Sequence, residues 1–376
     1  MPLARIFDYS LPVHLQVKFL FDCIKIINRG FLTNDRFVKK FETKLEKLYL
    51  DKKVICTSSG TSALLTMLSC VSKPGDHIIL PNNTFIATWQ AAAALNLIIH
   101  VVDTNESGIG ICPISLESTL DELNSRNIHP LAILDVHIGG FISKHWEKVL
   151  AISNKYHILY LEDSAQAFNA LTICGKLAGS IGHMAIHSFH LTKNLTAGEG
   201  GALILHKNDI HLAKSFRQFG MCLDNPLLFK YQSLNSKMSE FIAAFGARNL
   251  ECVHNKIFKR RQIMNKYKLL LDPSRYQVYD DILMGSFSSS YKTIVKVDDS
   301  YLYNKIMNYS DQIPLTGYVY KYTLNQQPVV LKSSDTFFHG TLNNSIGFSC
   351  SHICPPTYPE LSLRRVDLIC QFLNKI

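Results

Sequence analysis

The chain has no apolar run that approaches the roughly 20 residues needed to cross a lipid bilayer. Its first residues, MPLARIFDYSLPVHLQ, also lack the apolar core and the small-residue cleavage site of a secretory signal peptide. Charged residues are scarce at 18%, whereas hydrophobic residues make up 47% of the sequence, which excludes a disordered chain and supplies a packed interior. We therefore expect a globular, cytoplasmic protein that does not contact a membrane.

Signals for metal and nucleic-acid binding are also weak. Cys350, His352 and Cys354 form a C-x-H-x-C cluster, but no fourth ligand lies at a usual zinc spacing, so we expect no metal site. The formal charge is +9, yet the Lys and Arg residues are spread along the chain instead of forming a basic helix. This distribution argues against a nucleic-acid partner and suits a multiply anionic small substrate.

The pattern along the chain predicts two unequal domains. Between about residues 54 and 205, short β-branched runs alternate with helical stretches, which is typical of an α/β layer around a largely parallel sheet. From Ser239 to about Leu271, apolar residues recur at helical spacing and predict one long helix. A chain of 376 residues is too long for one compact core, so we expect an N-terminal arm and helix at 1–30, a large domain at 31–250 and a small C-terminal domain at 251–376.

The first candidate site residues lie in a turn of small residues. A strand-like run enters the sequence SSGT, in which Gly60 and Thr61 open a helix. Free backbone N–H groups at the start of a helix favour a phosphate group. Taken alone, such a turn is more often an ordinary helix N-cap, so its meaning depends on the other segments.

Two further segments carry side chains suited to cofactor chemistry. The apolar strand of LYLEDSAQAFNA ends at Asp163, at the edge where open α/β sheets bind ligands. This carboxylate either pairs with a protonated ring nitrogen or caps the next helix. In HSFHLTKNLTAGEGG, Lys193 stands between a strand and a Gly-rich turn, where its amine is able to form a Schiff base. An isolated lysine is far more often a solvated surface charge.

The phosphate turn, the acidic strand end and the lysine loop follow one another in this order along the chain. With these three segments the chain resembles the DegT/DnrJ/StrS family of nucleotide-sugar aminotransferases. The resemblance rests on the stretches SSGTSAL, PGDHIILPNNTFIATWQAA, EDSAQAFNA and SFHLTKNLTAGEGGALI, within roughly residues 30–270. It implies the type I fold of enzymes that depend on pyridoxal 5′-phosphate. We therefore expect an α/β fold, with a mostly parallel seven-stranded sheet in the large domain and a smaller C-terminal α/β domain.

The resemblance also implies roles for individual residues. Lys193 would bind the cofactor covalently, Asp163 would meet the pyridine nitrogen, and Gln166 would form a hydrogen bond with the ring hydroxyl. Phe85 would stack on the ring. The cofactor phosphate would be held by Gly60, Thr61, Ser188 and, from a second subunit, Asn235. Such a shared site implies a homodimer.

Three departures from the family pattern concern the substrate side of the site. Lys237 stands where the pattern usually has an arginine, and one ammonium group cannot make the bidentate contacts of a guanidinium. Phe168 and Asn169 replace a commoner His-Gly pair, and Asn325 replaces a histidine. Dehydratases of the family have histidine in place of the lysine, so Lys193 argues against that branch. Further on, alternating tyrosines suit either sugar stacking or a packed strand face: Tyr318, Tyr320 and Tyr322.

By the resemblance, we expect an aminotransferase that transfers an amino group from L-glutamate to a nucleotide-diphospho-keto-6-deoxysugar. A 4-keto sugar is favoured over a 3-keto sugar, and the nucleotide, dTDP, UDP or GDP, stays open. The amino sugar would enter O-antigen or another surface polysaccharide. The rival interpretation is a non-catalytic regulatory or interaction protein that keeps the fold. The intact Lys193, Asp163 and Gln166 count against this rival.

Overall fold

The computed structural model describes residues 4–5, 7–309, 312–313 and 320–376, so that Tyr318 lies outside the described residues. Within them the chain forms fourteen α-helices and thirteen β-strands. The helices are α1 (Val13–Arg29), α2 (Arg36–Glu46), α3 (Gly60–Val71), α4 (Ile86–Ala94), α5 (Pro113–Ser125), α6 (Trp146–Lys155), α7 (Ile210–Arg217), α8 (Glu240–Leu250), α9 (Val253–Leu270), α10 (Asp281–Met284), α11 (Ser300–Met307), α12 (Pro328–Leu331), α13 (Asn343–Ser351) and α14 (Leu363–Lys375). The strands are β1 (Lys52–Thr57), β2 (His77–Pro81), β3 (Ile98–Val102), β4 (Ala132–Val136), β5 (Leu159–Asp163), β6 (Leu171–Thr172), β7 (Met184–Ser188), β8 (Gly201–His206), β9 (Gln277–Val278), β10 (Ser286–Phe287), β11 (Val295–Lys296), β12 (Thr336–Phe338) and β13 (His352–Ile353).

The largest sheet has eight strands in the order β1-β8-β7-β5-β4-β2-β3-β12. Only β8 runs antiparallel to its neighbours, β1 and β7, and the remaining pairs are parallel. The predicted α/β fold with a mostly parallel sheet is therefore confirmed. Seven of the strands precede residue 250, as expected, and the C-terminal part adds an eighth, because β12 pairs with the edge of β3.

Helices cover both faces of this sheet, which explains its apolar strands. Every residue of β4 is buried, as in parallel sheets that have helices on each side. Neighbouring positions of β1 face opposite layers: Ile55 packs in the cluster of α3 with Leu64, whereas Val54 packs in the cluster of α2 with Phe41. The carboxyl ends of β4, β5 and β7 meet at one edge of the sheet, where α/β folds bind ligands.

The C-terminal part is a smaller α/β unit in which the antiparallel sheet β13-β11-β9 packs with α9, α11 and α14.

The prediction of one long helix from Ser239 to about Leu271 is wrong, because α8 and α9 are separate helices. At the end of α8 the N–H of Glu251 donates to the carbonyl of Arg248 at 3.2 Å, and the N–H of Cys252 donates to that of Asn249 at 3.1 Å, as in a 3₁₀ turn. The predicted domain limits stay predictions. Among the described residues, no helix combines the length and apolarity needed to span a bilayer.

Candidate active site

A cavity of about 390 Å³ opens at the edge of the large sheet where β5 and β7 end. Its walls come from the start of α3, from α4, from the loops after β4, β5 and β7, and from the C-terminal part. The fold therefore brings together three sequence segments that are far apart in the chain. Seven of the eight predicted site residues line this cavity: Gly60, Thr61, Phe85, Asp163, Gln166, Ser188 and Lys193.

The turn before α3 is both a helix cap and a cavity wall. The Oγ atom of Ser59 accepts a hydrogen bond from the N–H of Ser62 at 3.0 Å, which caps the helix. Gly60, the first helical residue, approaches β7 so closely that a Cβ atom built on it would lie 2.9 Å from the Cβ of Ser188. The positive end of α3 therefore meets the Ser188 side chain at the cavity, which is an arrangement suited to a phosphate group.

Asp163 ends β5 with its carboxyl group buried. Its Oδ2 atom accepts a hydrogen bond from the hydroxyl of Thr88 at 2.7 Å, and its Oδ1 atom accepts one from the N–H of Ala165 at 3.1 Å. Asp163 is 3% exposed, and this burial raises its pKa, although both hydrogen bonds act in the opposite direction. A cation placed against this carboxyl would stabilise its ionised form.

Gln166 is held from both sides. Its Oε1 atom accepts a hydrogen bond from the N–H of Gly139 at 2.9 Å, and its Nε2 atom donates to the hydroxyl of Tyr320 at 2.7 Å. Tyr320 belongs to the C-terminal part and also lines the cavity. Burial raises the pKa of Tyr320 well above its usual value, which keeps its phenol neutral. The sequence analysis left the alternating tyrosines open between sugar stacking and a packed strand face, and their spacing does not reveal this contact.

Lys193 lies in the loop after β7, where its N–H donates to the carbonyl of His190 at 2.9 Å. Its Nζ atom lies 4.9 Å from the centroid of the Tyr291 ring, which belongs to the C-terminal part. Phe85 precedes α4 at the cavity rim and is 59% exposed, so one face of its ring is available for stacking. The sequence analysis missed Tyr291, which lies outside the segments that carry the family resemblance.

The sequence analysis also missed a buried hydrogen bond between a histidine and a carboxylate at the cavity. His137 lines the cavity, and its Nε2 atom lies 3.0 Å from the carboxylate of Glu162. Because the N–H of Ser143 donates to Nδ1 of His137, we assign the ring proton to Nε2, which donates to Glu162. Burial alone would raise the pKa of Glu162, but donors that include His137 and the N–H groups of Gly179 and Gly182 lower it. This network fixes the floor of the cavity.

Asn235 is the one predicted site residue that the fold of this chain does not bring to the cavity. It forms an isolated β-bridge with Gln218, and its Oδ1 atom accepts a hydrogen bond from the N–H of Lys237 at 3.3 Å. The Nζ atom of Lys237 lies 5.7 Å from the ring centroid of Phe219. The prediction for Asn235 concerns a second subunit, so its role stays a prediction.

The other departures from the family pattern have structural explanations. Asn169 has a φ of 65°, in the left-handed region that glycine and asparagine adopt most readily. Phe168 is 3% exposed and packs edge-to-face on His187, away from the cavity lining. The N–H of Asn325 donates to Oδ1 of Asn82 at 3.0 Å, so Asn325 anchors the C-terminal segment to the end of β2.

The cluster considered for zinc has a packing role. The Nδ1 atom of His352 lies 2.6 Å from the carbonyl oxygen of Phe348, and the His352 ring stacks on the Phe348 ring at 4.0 Å between centroids. Within the part of the chain that the structure describes, no group of three or more His, Cys, Asp or Glu side chains is arranged to hold a metal ion.

The donor groups of the cavity fit pyridoxal phosphate. The close approach at Gly60 leaves a cradle at a helix N-terminus for the phosphate, and a Cβ atom would fill it. Asp163 provides a buried carboxyl group for a protonated ring nitrogen, and Lys193 provides the amine. A volume of about 390 Å³ also falls within the usual range of small-ligand cavities.

Comparisons with known proteins agree with this fit. Residues 14–374 match the DegT/DnrJ/EryC1/StrS aminotransferase family. The GDP-perosamine synthase of Escherichia coli O157:H7 is 24% identical over 90% of this chain and 90% of its own length. The GDP-perosamine synthase of Caulobacter vibrioides is 28% identical over 61% of this chain, but the alignment spans only 62% of that protein.

A solved structure shows the same fold over nearly the whole chain. It is described as E. coli GDP-4-keto-6-deoxy-D-mannose-3-dehydratase with bound hydrated PLP, with 20% identity and a TM-score of 0.83 over 99% of this chain and 98% of that one. The family match confirms the predicted resemblance, the type I fold, the enzyme class and pyridoxal phosphate as the cofactor. The chain belongs to the DegT/DnrJ/EryC1/StrS aminotransferase family.

Proposed function

We propose that this protein transfers the amino group of L-glutamate to the keto group of a nucleotide-diphospho-6-deoxysugar. The observation that carries the proposal is the convergence of Lys193, Asp163 and Gln166 on one cavity in a chain of an aminotransferase family. The non-catalytic alternative requires only the fold, whereas these three side chains are the ones that the chemistry needs.

Each of these residues has a distinct task. Bound pyridoxal phosphate supplies the electron sink on which amino transfer depends. Asp163, fixed by Thr88 and by the N–H of Ala165, holds a positive charge at the cavity floor. Gln166, fixed by Gly139, orients the ring through its remaining hydrogen-bonding capacity. Lys193 holds the cofactor and, once its amine is free, takes a proton from the substrate carbon and returns it.

Three observations support a nucleotide sugar as the amino acceptor. Two relatives are GDP-perosamine synthases, and the similar solved structure has GDP-4-keto-6-deoxy-D-mannose in its name. The formal charge of the chain is +9, and Lys292 lines the cavity beside the cofactor lysine Lys193, which favours an anionic ligand. We therefore favour a 4-keto over a 3-keto sugar and GDP as the first nucleotide to test. The amino sugar would serve a surface polysaccharide such as O-antigen.

The proposal includes a homodimer in which Asn235 reaches the phosphate site of the partner subunit. An exposed apolar surface in the segment before Asn235 supports it, because such a surface is unusual on a monomer. Its side chains are 43% to 87% exposed: Phe219, Leu227, Leu228, Phe229, Tyr231 and Leu234.

The function is tested by adding L-glutamate alone to purified protein loaded with pyridoxal phosphate. We expect the visible absorbance of the cofactor to change and 2-oxoglutarate to be released by the wild type, whereas Lys193→Ala should do neither. Lys207→Ala is the matched control, because Lys207 lies outside the cavity lining and should not affect the reaction. Nucleotide-linked 4-keto and 3-keto sugars are then offered to the aminated protein. A protein that binds the cofactor but responds to no amino donor would instead support the regulatory alternative.

A further inference from the structure

A tyrosine of the C-terminal part faces the reactive lysine at the cavity wall. Tyr291, in the segment between β10 and β11, is 6% exposed and lines the cavity. The Nζ atom of Lys193 lies 4.9 Å from the centroid of its ring, a distance at which the face of an aromatic ring attracts an ammonium group. The proposed function assigns no task to Tyr291.

Arg260 of α9 fixes Tyr291 relative to the lysine loop. Its Nη1 atom donates to the carbonyl of Tyr291 at 3.0 Å and to the carbonyl of Thr357, and its Nη2 atom donates to the carbonyl of Thr192 at 3.3 Å. Arg260 is 3% exposed. One buried guanidinium thus joins the backbone just before Lys193 to the backbone of Tyr291, so the fold itself sets the separation of amine and ring.

The hydroxyl group of Tyr291 lies in a positively charged environment and 3.2 Å from Oγ1 of Thr192. The charged and titratable groups that face Tyr291 are Lys193, Lys292, Arg260 and Tyr320. Burial alone would raise the pKa of Tyr291, but the three positive charges and the hydrogen bond with Thr192 lower it to about 8. Its phenol therefore ionises at mildly alkaline pH instead of near pH ~10, as an ordinary tyrosine does.

We propose that Tyr291 is a positioning residue for Lys193: the face of its ring holds the amine at the cavity wall whenever the amine is free. The proposal rests on the proposed function, in which Lys193 moves a proton at the substrate carbon. The contribution of Lys193 to the lowered pKa of Tyr291 belongs to the ammonium form of the amine, so the ionisation of Tyr291 reports a free, charged Lys193 beside the ring. A variant without the aromatic ring should slow the proton transfer, whereas a variant that keeps the ring should not.

The first experiment needs no turnover, so its failure is distinct from failure of the proposed function. Phenolate absorbance in the ultraviolet is followed against pH in protein loaded with pyridoxamine 5′-phosphate, which leaves the amine of Lys193 free. Tyr291→Phe and Tyr301→Phe are loaded in the same way, and Tyr301→Phe removes a 76% exposed tyrosine outside the cavity lining. We expect one phenolate to form near pH 8 in the wild type and in Tyr301→Phe but not in Tyr291→Phe. Titration curves that coincide for wild type and Tyr291→Phe below pH ~10 would overturn the proposal.

The second experiment measures kcat and KM of the reaction with L-glutamate. Tyr291→Phe, which keeps the ring, should retain a kcat within about twofold of the wild type. Tyr291→Leu, which also removes the ring, should lower kcat at least about tenfold with a smaller change in KM, because binding does not require the free amine. Thermal unfolding identifies variants that fail to fold. If folded Tyr291→Leu keeps the wild-type kcat, Tyr291 has no positioning role.

Discussion

Gly60 occupies a position that has no room for a side chain. A Cβ atom on this residue would lie 2.9 Å from the Cβ and 3.2 Å from the Oγ of Ser188, so the start of α3 or the end of β7 would have to shift. Both residues are predicted phosphate ligands. We expect Gly60→Ala to weaken the binding of pyridoxal phosphate at least about tenfold, equivalent to about 1.4 kcal/mol, as measured by titrating the cofactor-free protein.

Gly347→Ala is the control for this substitution. Gly347 lies within α13, and a Cβ atom built on it meets nothing within 4 Å. Alanine there should leave cofactor affinity unchanged and raise stability by up to about 1 kcal/mol, because alanine favours helix more than glycine does. If Gly60→Ala binds the cofactor as tightly as the wild type, the phosphate does not lie at the start of α3.

The ionisation of Asp163 depends on Thr88, whose hydroxyl donates to the carboxylate at 2.7 Å. Burial raises the pKa of Asp163, and this hydrogen bond opposes the rise. In Thr88→Val the pKa of Asp163 should rise further, so the carboxylate that we propose pairs with the ring nitrogen should be lost at a higher pH. We expect cofactor affinity, measured between about pH 8 and pH 5, to decline at a higher pH than in the wild type.

Thr66→Val provides the matched control for Thr88. Thr66 is also a buried helical threonine, but its hydroxyl donates to the carbonyl of Ser62 at 2.7 Å within α3. Its pH dependence should match that of the wild type. Identical pH profiles for Thr88→Val and the wild type would mean that Asp163 does not control cofactor binding through its charge.

At the scale of elements, β12 is joined to the large sheet by a row of imidazoles as well as by backbone pairing. Nε2 of His100 in β3 lies 2.8 Å from Nδ1 of His77 in β2, and Nδ1 of His100 lies 2.9 Å from Nε2 of His339, the residue after β12. Burial, together with His339 and His77, lowers the pKa of His100 to about 3. His100 is therefore neutral in the folded protein at neutral pH.

Acidification should weaken this edge of the sheet. A histidine in the unfolded chain has a pKa of about 6.5, so a folded state that requires neutral His100 loses stability as the pH falls below that value. The loss from this residue alone is about 2 kcal/mol at about pH 5. Urea midpoints at several pH values should fall less steeply in His100→Gln than in the wild type. His254→Gln, at an exposed position of α9, should follow the wild type.

The sequence predicts the elements whose pattern is strong and misses those that depend on tertiary contacts. The apolar, β-branched runs of β1 to β5 and β8 mark them as strands, because these strands are buried between helices. The three residues of β12 lie in the polar stretch SSDTFFHG and form a strand only because the edge of β3 can pair with them. The break between α8 and α9 likewise contains no proline or glycine that would predict the end of a helix.

At the scale of the whole molecule, the cavity combines motif residues with residues that only folding brings near. Lys193, Asp163 and Gly60 could be predicted because each stands in a local motif whose chemistry is readable. Tyr320 stands in no such motif, yet its hydroxyl accepts a hydrogen bond from Gln166, which lies 154 positions earlier in the chain. The C-terminal part thus completes a site whose motifs all precede it.

The proposed sharing of the site between two subunits makes a prediction about mixed dimers. If Asn235 serves the partner's cavity, Asn235→Ala and Lys193→Ala should each be inactive alone, because every site in either homodimer has one defect. A hybrid of the two has one site with both defects and one intact site. After subunit exchange, an equal mixture should therefore recover about a quarter of the wild-type activity. Asp163→Asn mixed with Lys193→Ala is the matched control: both residues line the cavity of their own chain, so every hybrid site stays defective and no activity returns. If activity returns only in the mixture of Asn235→Ala with Lys193→Ala, each site must be built by two subunits. If Asn235→Ala alone has full activity, Asn235 does not belong to the site.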